Sequence, residues 1–511
     1  MAHYRSFALL PFAVCRLPFI FRMVNIIPEA VRTGAARRIH LIAICGVAMS
    51  ALAGMLKQRG YEVSGSDENV YPPMSTVLER LGIRILPGFH AQHLADRPDL
   101  VIVGNKVSRT NPEVEALLAS GLPYVSLPQA LAEMFLADHR SVVVAGTHGK
   151  TTSTALLAWV LESARRDPSV MVGGEALDFG GNYKLGGGEF FVIEGDEYDT
   201  AFFDKGPKFL HYRPQALLLT AVEFDHADIY RDLEHVKDAF RGLVSLLPPP
   251  VPLVVAADFP HARAVAAAHA NVMTFGFAPD AEWQVVNLRD DGAATLFEVV
   301  GRNVSQCTIR VRQPGAINAR NALGVYVMAR ALGLSTEEIL GGLASFRGVA
   351  RRQELVGEVC GVTVVDDFAH HPTAVAGAIA ALRLRYPRRR LWAVFEPRSN
   401  TSRRRVFQRE YADAFAGADH VIIGGVFHKS TDQVAAADLF SPEELVADLL
   451  PRGIHARAVA DVDTISTTLA SEARSGDVIL LMSNGSFGGL RDKLQAALAR
   501  RTAMVEPAAS A

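Results

Sequence analysis

Residues 146–152 read Gly-Thr-His-Gly-Lys-Thr-Thr, a set of side chains suited to cradling a chain of phosphates. Glycine lets backbone N–H groups turn toward an anion, a lysine reaches the outer phosphates, and a threonine hydroxyl suits Mg²⁺. Elements that would position them lie on either side. Ser141 to Ala145 is a β-branched run fit for a buried strand. Ser153 to Arg165 carries Leu156, Leu157, Val160 and Leu161 at helical spacing, so the loop opens a helix whose N-terminus adds partial positive charge. The layout predicts an ATP site made of Gly146, Thr147, His148, Gly149, Lys150, Thr151 and Thr152. The spacing departs from the standard Walker pattern, because valine stands at position 144 where the first glycine belongs. On the loop alone, a strand-to-helix turn with an incidental lysine remains the competing reading.

Two later apolar runs end in groups that suit a metal-phosphate centre. Glu189-Phe-Phe-Val-Ile-Glu-Gly-Asp-Glu-Tyr-Asp199 contains Glu194, and Ala216-Leu-Leu-Leu-Thr-Ala-Val-Glu-Phe-Asp-His226 ends in His226. Open α/β sheets bind ligands at the carboxyl ends of their strands. Magnesium prefers oxygen, so His226 reads on residue type alone as a structural hydrogen-bond partner.

The alternation of strands and helices predicts an α/β protein with parallel sheets in three segments. Arg38 to Gly46, Glu62 to Asp67 and Leu100 to Asn105 read as strands of the first, with a helix over Met49 to Leu56. Asp67 lies 21 positions after Gly46, where a dinucleotide fold places its ribose-binding acid, but the turn lacks G-x-G-x-x-G and disfavours NAD. Gly361 to His371, Leu391 to Arg398, His420 to Gly424 and Asp477 to Met482 read as strands of the third. The expected division is a disordered leader over 1–36, domains over 37–138, 139–350 and 351–500, and a frayed tail over 501–511. Residues 6–15 approach a signal-like apolar run, but prolines and arginines interrupt the neighbourhood, and Met23 is an alternative start. The proline-rich residues 247–252 read as a rigid turn inside the second domain.

At 511 residues, with 49% hydrophobic content and mean hydropathy +0.16, the chain can build full cores. Lys+Arg 52 against Asp+Glu 54 leaves net charge −2, which points to neither nucleic acid nor a membrane surface. Four scattered cysteines form no metal-finger spacing and suit a reducing cytoplasm.

The motifs taken in order resemble the Mur ligase family. They are the loop ending at Thr152, Glu194-Gly-Asp-Glu-Tyr-Asp199, Glu223-Phe-Asp-His226, Asn318-Ala-Arg-Asn321 and Asp366-Asp-Phe-Ala-His-His-Pro372. The resemblance spans residues 38 to 499. It implies a Rossmann-like N-terminal domain, a central P-loop ATPase-like domain and a Rossmann-like C-terminal domain. It implies ATP and Mg²⁺, with Lys150, Glu194 and His226 catalytic and Thr151, Glu194 and His226 holding metal. Asn318, Asn321, Arg352 and Asp367 would contact ATP, and Gly46, Ser66, Asp67 and Asn105 a UDP-sugar. Three further stretches resemble a peptide-recycling branch: Ser66 to Thr76, Glu396-Pro-Arg-Ser-Asn-Thr401 and Ser483 to Gly489. That branch joins UDP-N-acetylmuramate, through an acyl phosphate, to the amine of the cell-wall tripeptide L-alanyl-γ-D-glutamyl-meso-diaminopimelate. Arg398, Ser399 and Asn400 would bind the tripeptide, since a guanidinium fork suits carboxylates. The alternatives are a ligase for free L-alanine and a non-catalytic nucleotide-sugar binder; intact Lys150, Glu194 and His226 argue against the latter. Position 317 is Ile where the family often has His. Lys237 is the lysine that soon follows His226; it reads as an exposed helix residue and is not assigned a modification. The arginine runs 388–390 and 403–405 read as solvated faces.

Overall fold

The computed structural model describes residues 27–71, 74–301, 306–428 and 434–505. Three sheets follow one another along the chain. The first has five parallel strands in the order Arg84–Pro87, Glu62–Asp67, Arg38–Ile42, Leu100–Val103, Tyr124–Ser126. Its strand order reverses between Arg38–Ile42 and Leu100–Val103, the place where such sheets open a ligand crevice.

The second sheet has ten strands. At its centre Arg140–Ala145 lies between Phe190–Gly195 and Ala216–Leu219, parallel to both. All three are apolar and buried along most of their length, as a sheet covered on both faces requires. Their register is level: Ala145 stands opposite Gly195 on one side and Leu219 on the other. The segments that leave these strands therefore emerge side by side. The proline-rich residues 247–252 turn the chain between helix Leu233–Ser245 and strand Leu253–Ala256 of this same sheet.

The third sheet runs Glu354–Val359, Val362–Asp367, Val478–Met482, Leu391–Phe395, His420–Ile423, His455–Ala458, with its first strand antiparallel and the rest parallel. It meets the second through helices Gly315–Ala331 and Pro372–Arg385. Gly315 begins its helix at φ +86, and a Cβ there would stand 2.3 Å from that of Ala381. Beside this contact Arg385 Nη2 lies 3.0 Å from the fully buried Asp290 carboxylate.

Several expectations need correction. The leader does not extend to residue 36, because Ile27 and Val31 are buried, Glu29–Arg32 is helical, and Tyr61 Oη donates to Val31 O at 2.7 Å. Met23 and residues 6–15 lie outside the described residues. The C-terminal helix Leu490–Val505 runs past 501, where Arg501 donates to Ala473 O at 2.6 Å. Arg403 is buried, at 2% exposure, and donates to Ser399 O, Phe427 O and Asn400 Oδ1. Arg389 and Arg390 both tie to Asp477. Burial of these long side chains is possible because each fork finds carbonyl or carboxylate oxygens. Lys237 is not exposed either: its side chain is 12% accessible and pairs with Glu234.

Gly315→Ala places a Cβ at a positive φ and against Ala381, so it should lower stability by about 1–3 kcal/mol. Gly341→Ala, in helix Thr336–Ser345 with nothing within 4 Å of the added methyl, should be neutral or stabilising. Urea denaturation of the two variants checks the contrast.

Candidate active site

The phosphate loop leaves strand Arg140–Ala145 and enters helix Lys150–Ser163. Gly146 and Gly149 take φ +137 and +80, and a Cβ on either would strike Thr220 Oγ1 at 2.4 Å or Asn321 Oδ1 at 2.6 Å. Only glycine serves at these two places. Neighbouring strand ends fix the loop: Thr147 N donates to Ala221 O at 2.9 Å, and Glu223 N donates to Thr147 Oγ1 at 2.9 Å. Thr152 is buried in the first turn of the helix.

Lys150 Nζ donates to Gly146 O at 2.7 Å and to Glu197 Oε2 at 2.8 Å. Glu197 is 3% exposed, and its other oxygen lies 3.4 Å from His226 Nε2. Burial works to raise the Glu197 pKa, but Lys150 and His226 outweigh it and bring it to about 2. Burial likewise works to lower His226, yet the facing Glu197 and Asp225 carboxylates raise it to about 9. Tyr230 Oη closes the arrangement on the Glu197 carbonyl. His226 itself sits at φ +52, a backbone state uncommon outside glycine.

Thr151 Oγ1 donates to Glu194 Oε1 at 2.9 Å, and Gly173 N donates to Glu194 Oε2 at 2.6 Å. Burial and Asp196 raise the Glu194 pKa against the pull of Lys150. Arg352, reaching across from the third segment, donates to Thr151 Oγ1 at 3.0 Å. Asp367 accepts from Gln353 N at 2.8 Å and Ala369 N at 2.6 Å, and burial lifts its pKa to about 6. Asn318 bonds Pro314 O and Gln353 Oε1. Asn321 lines a cleft of about 170 Å³ together with His148, Gly149, Phe259, Ile317 and Arg320.

The hydroxyl of Thr151 and the carboxylate of Glu194 are hard oxygen donors that fit Mg²⁺. His226 turns instead to Glu197, so the structure joins Thr151 and Glu194 directly, while the third expected metal ligand pairs with the acid that holds Lys150. Among the described residues, the group of three whose ligand atoms converge within 4.8 Å is a different one: His148, Glu223 and His371. His371 caps helix Pro372–Arg385, and burial and the adjacent His148 press its pKa down to about 3.

The loop after Leu391–Phe395 is tied to the His226 turn. Thr401 Oγ1 donates to Asp225 Oδ1 at 2.6 Å, and Asn400 Nδ2 donates to Asp228 Oδ2 at 2.6 Å. Arg398 lies over the Phe427 ring at 3.8 Å and 3.3 Å from Glu396, and its backbone N–H is held by Ser402. Ser399 also bonds Ser402. Gly46, Ser66, Asp67 and Asn105 gather on the first sheet at its strand ends. Both Asp67 oxygens already accept backbone N–H groups, from Cys45 and Asn69, so this acid shapes its turn. Asn182 joins that region to the second sheet through Val47 O at 2.9 Å.

Sequence reasoning missed Glu197 and Lys208. Lys208 is buried at 4% exposure, 3.3 Å from Asp196 and 4.0 Å over the Tyr198 ring. The one available signal was the density of acids in Glu194 to Asp199, which needs a cation nearby.

Three family models match successive stretches: Mur ligase family, catalytic domain, over residues 38–139; Mur ligase middle domain over 144–329; and Mur ligase, glutamate ligase domain, over 351–485. The chain belongs to the Mur ligase family. Its members form amide bonds with ATP, generally with Mg²⁺, and the chain is a ligase of that kind. It is 40% identical over 465 residues to UDP-N-acetylmuramate–L-alanyl-γ-D-glutamyl-meso-2,6-diaminoheptandioate ligase of Escherichia coli, covering 91% of this chain and 99% of that one. It is 32% identical to UDP-N-acetylmuramate–L-alanine ligase of Syntrophus aciditrophicus, with 92% and 94% covered. The crystal structure of a murein peptide ligase from Psychrobacter arcticus superposes with TM-score 0.68 at 33% identity, covering 91% of this chain and 99% of that one.

Glu197→Gln removes the carboxylate that favours the imidazolium, so the His226 pKa should fall from about 9 toward the ordinary 6.5. Histidine-resolved NMR titration reads the shift directly, and an unmoved His226 would separate the two groups.

Proposed function

We propose that the protein joins the lactyl carboxylate of UDP-N-acetylmuramate to the free amine of L-alanyl-γ-D-glutamyl-meso-diaminopimelate, with ATP, in recycling of cell-wall peptide. The observation that carries the choice of acceptor is the docking of the Arg398 loop onto the His226 turn. Asn400 and Thr401 make that contact, and Arg398 on the same loop carries a guanidinium suited to the tripeptide's several carboxylates, of which free alanine has one. The name of the Escherichia coli relative supports the same acceptor.

In this reading residues 37–138 bind the sugar nucleotide through Gly46, Ser66, Asp67 and Asn105. Residues 139–350 bind ATP through the phosphate loop, and residues 351–500 add Arg352, Asp367 and the peptide contacts Arg398, Ser399 and Asn400. The lactyl carboxylate attacks the γ-phosphorus, giving an acyl phosphate and ADP. The peptide amine then attacks the acyl carbon, loses a proton and expels inorganic phosphate. Lys150 is held by Glu197 and Gly146 O, so its charge is already fixed beside the loop when phosphates arrive. Asn321 and the cleft beside it would receive the adenine end. Thr151, Glu194 and His226 would hold Mg²⁺, which when bound offsets charge on the phosphate oxygens. Glu197 keeps His226 in place, and Arg352 orients the Thr151 hydroxyl. The proposed setting is the cytoplasm, where both nucleotides are found; among the described residues no helix is long and apolar enough to cross a membrane.

Lys150→Ala should lower the rate of phosphate release by at least ~10²–10³; near-normal release would remove Lys150 from the phosphate site. Wild-type kcat/KM should favour the tripeptide over L-alanine, and Arg398→Ala should cost about 2 kcal/mol in tripeptide binding while sparing KM for ATP and UDP-N-acetylmuramate. A tenfold preference for L-alanine, about 1.4 kcal/mol, would overturn the peptide assignment.

A further inference from the structure

The trio His148, Glu223 and His371 shares no residue with the magnesium ligands of the reading above. It draws one residue from the phosphate loop, one from the chain leaving strand Ala216–Leu219, and one from the cap of helix Pro372–Arg385 in the third segment. One ligand atom from each lies within 4.8 Å of the others. His148 Nε2 and Glu223 Oε2 are 2.9 Å apart, an ion-pair distance, and neither of these buried atoms has a partner beyond the other. The His148 side chain is nine-tenths buried. Both atoms converge with one from His371, a place where a cation could be held between them.

The remaining contacts orient the trio as supports orient metal ligands. Thr373 Oγ1 donates to Glu223 Oε1 at 3.1 Å, which leaves Oε2 available. His371 Nε2–H donates to Phe224 O at 3.2 Å, and Nδ1 accepts only a long 3.3 Å bond from Thr373 N. A ring N–H given to a backbone carbonyl fixes the tautomer and puts the lone pair on Nδ1, where a metal would displace the weak Thr373 N–H bond. The two imidazoles stand close, with ring centroids 4.5 Å apart.

We infer that His148, Glu223 and His371 form a binding site for a borderline transition-metal ion of the Zn²⁺ class, which pins the third segment onto the phosphate loop. Two imidazoles and one carboxylate are the donors such an ion selects, with water in a fourth position. Magnesium is the poor match because it demands oxygen. The ion would cross-link the two segments at a point where His148 also lines the nucleotide cleft. The inference is independent of which acceptor the enzyme uses.

The test is titration of Co²⁺ into the full chain stripped of metal, without nucleotide. One equivalent should bind with the intense visible absorption of a four-coordinate nitrogen–oxygen site. Stoichiometric Zn²⁺ should abolish the absorption, and excess Mg²⁺ should not. His371→Ala and Glu223→Gln should each weaken binding by at least about tenfold, whereas His226→Ala should leave it unchanged. Absence of the absorption in the wild type overturns the site. So does binding undiminished in both trio variants, or binding lost in His226→Ala, which would assign the ion to the magnesium ligands. Should a variant fail to fold, X-ray absorption at the zinc edge of the wild type decides. Imidazole scattering supports the site, and an all-oxygen shell overturns it.

Discussion

Glu197 is almost fully buried yet ionised, a state that water would ordinarily have to support. Here Lys150 at 2.8 Å and His226 at 3.4 Å take the place of water. The three groups form one unit of charge: the lysine comes from the phosphate loop, the acid follows the neighbouring strand, and the histidine follows the strand on the other side. Each would be expensive to bury alone, and each is held in a single geometry by the others. The orientation of Lys150, on which phosphate handling depends, is thus set by a residue that need not touch phosphate.

This unit exists because three parallel strands end at one level. Ala145, Gly195 and Leu219 stand opposite one another, so the segments that follow start within reach. Glycine at 146 and 149 then lets the loop lie against the Thr220 and Asn321 side chains. A slip of one residue in the pairing of Phe190–Gly195 with Arg140–Ala145 would turn Glu194 to the opposite face of the sheet. Packing of the apolar strands and placement of the polar site are therefore the same constraint seen at two ends of the sheet.

The third segment adds contacts that the second cannot make within itself. Arg352 bonds Thr151, Thr401 bonds Asp225, and His371 lies against His148. These meet at a polar seam, while the apolar contact between helices Gly315–Ala331 and Pro372–Arg385 lies to one side. Such an arrangement suits rigid units that close on a ligand, with the packed helices and the His371 cap as the pivot and the Arg352 and Thr401 contacts as the part that changes.

Much of this protein is legible in its residues one stretch at a time. The Gly-Thr-His-Gly-Lys-Thr-Thr loop carries its own strand and helix beside it, and buried parallel strands announce themselves as unbroken apolar runs. Ordered motifs were enough to indicate the family. Tertiary structure alone decided which charges meet. Glu197 lies 47 positions from Lys150, and Arg352 lies 201 from Thr151. Nothing local distinguishes Glu197 from the acids around it, or Arg403, which is buried, from Arg405, which is exposed. Periodicity reports whether a residue's own element faces a core. The partner of a buried charge depends on strand order, register and segment docking, and these arise only when distant stretches of chain pack together.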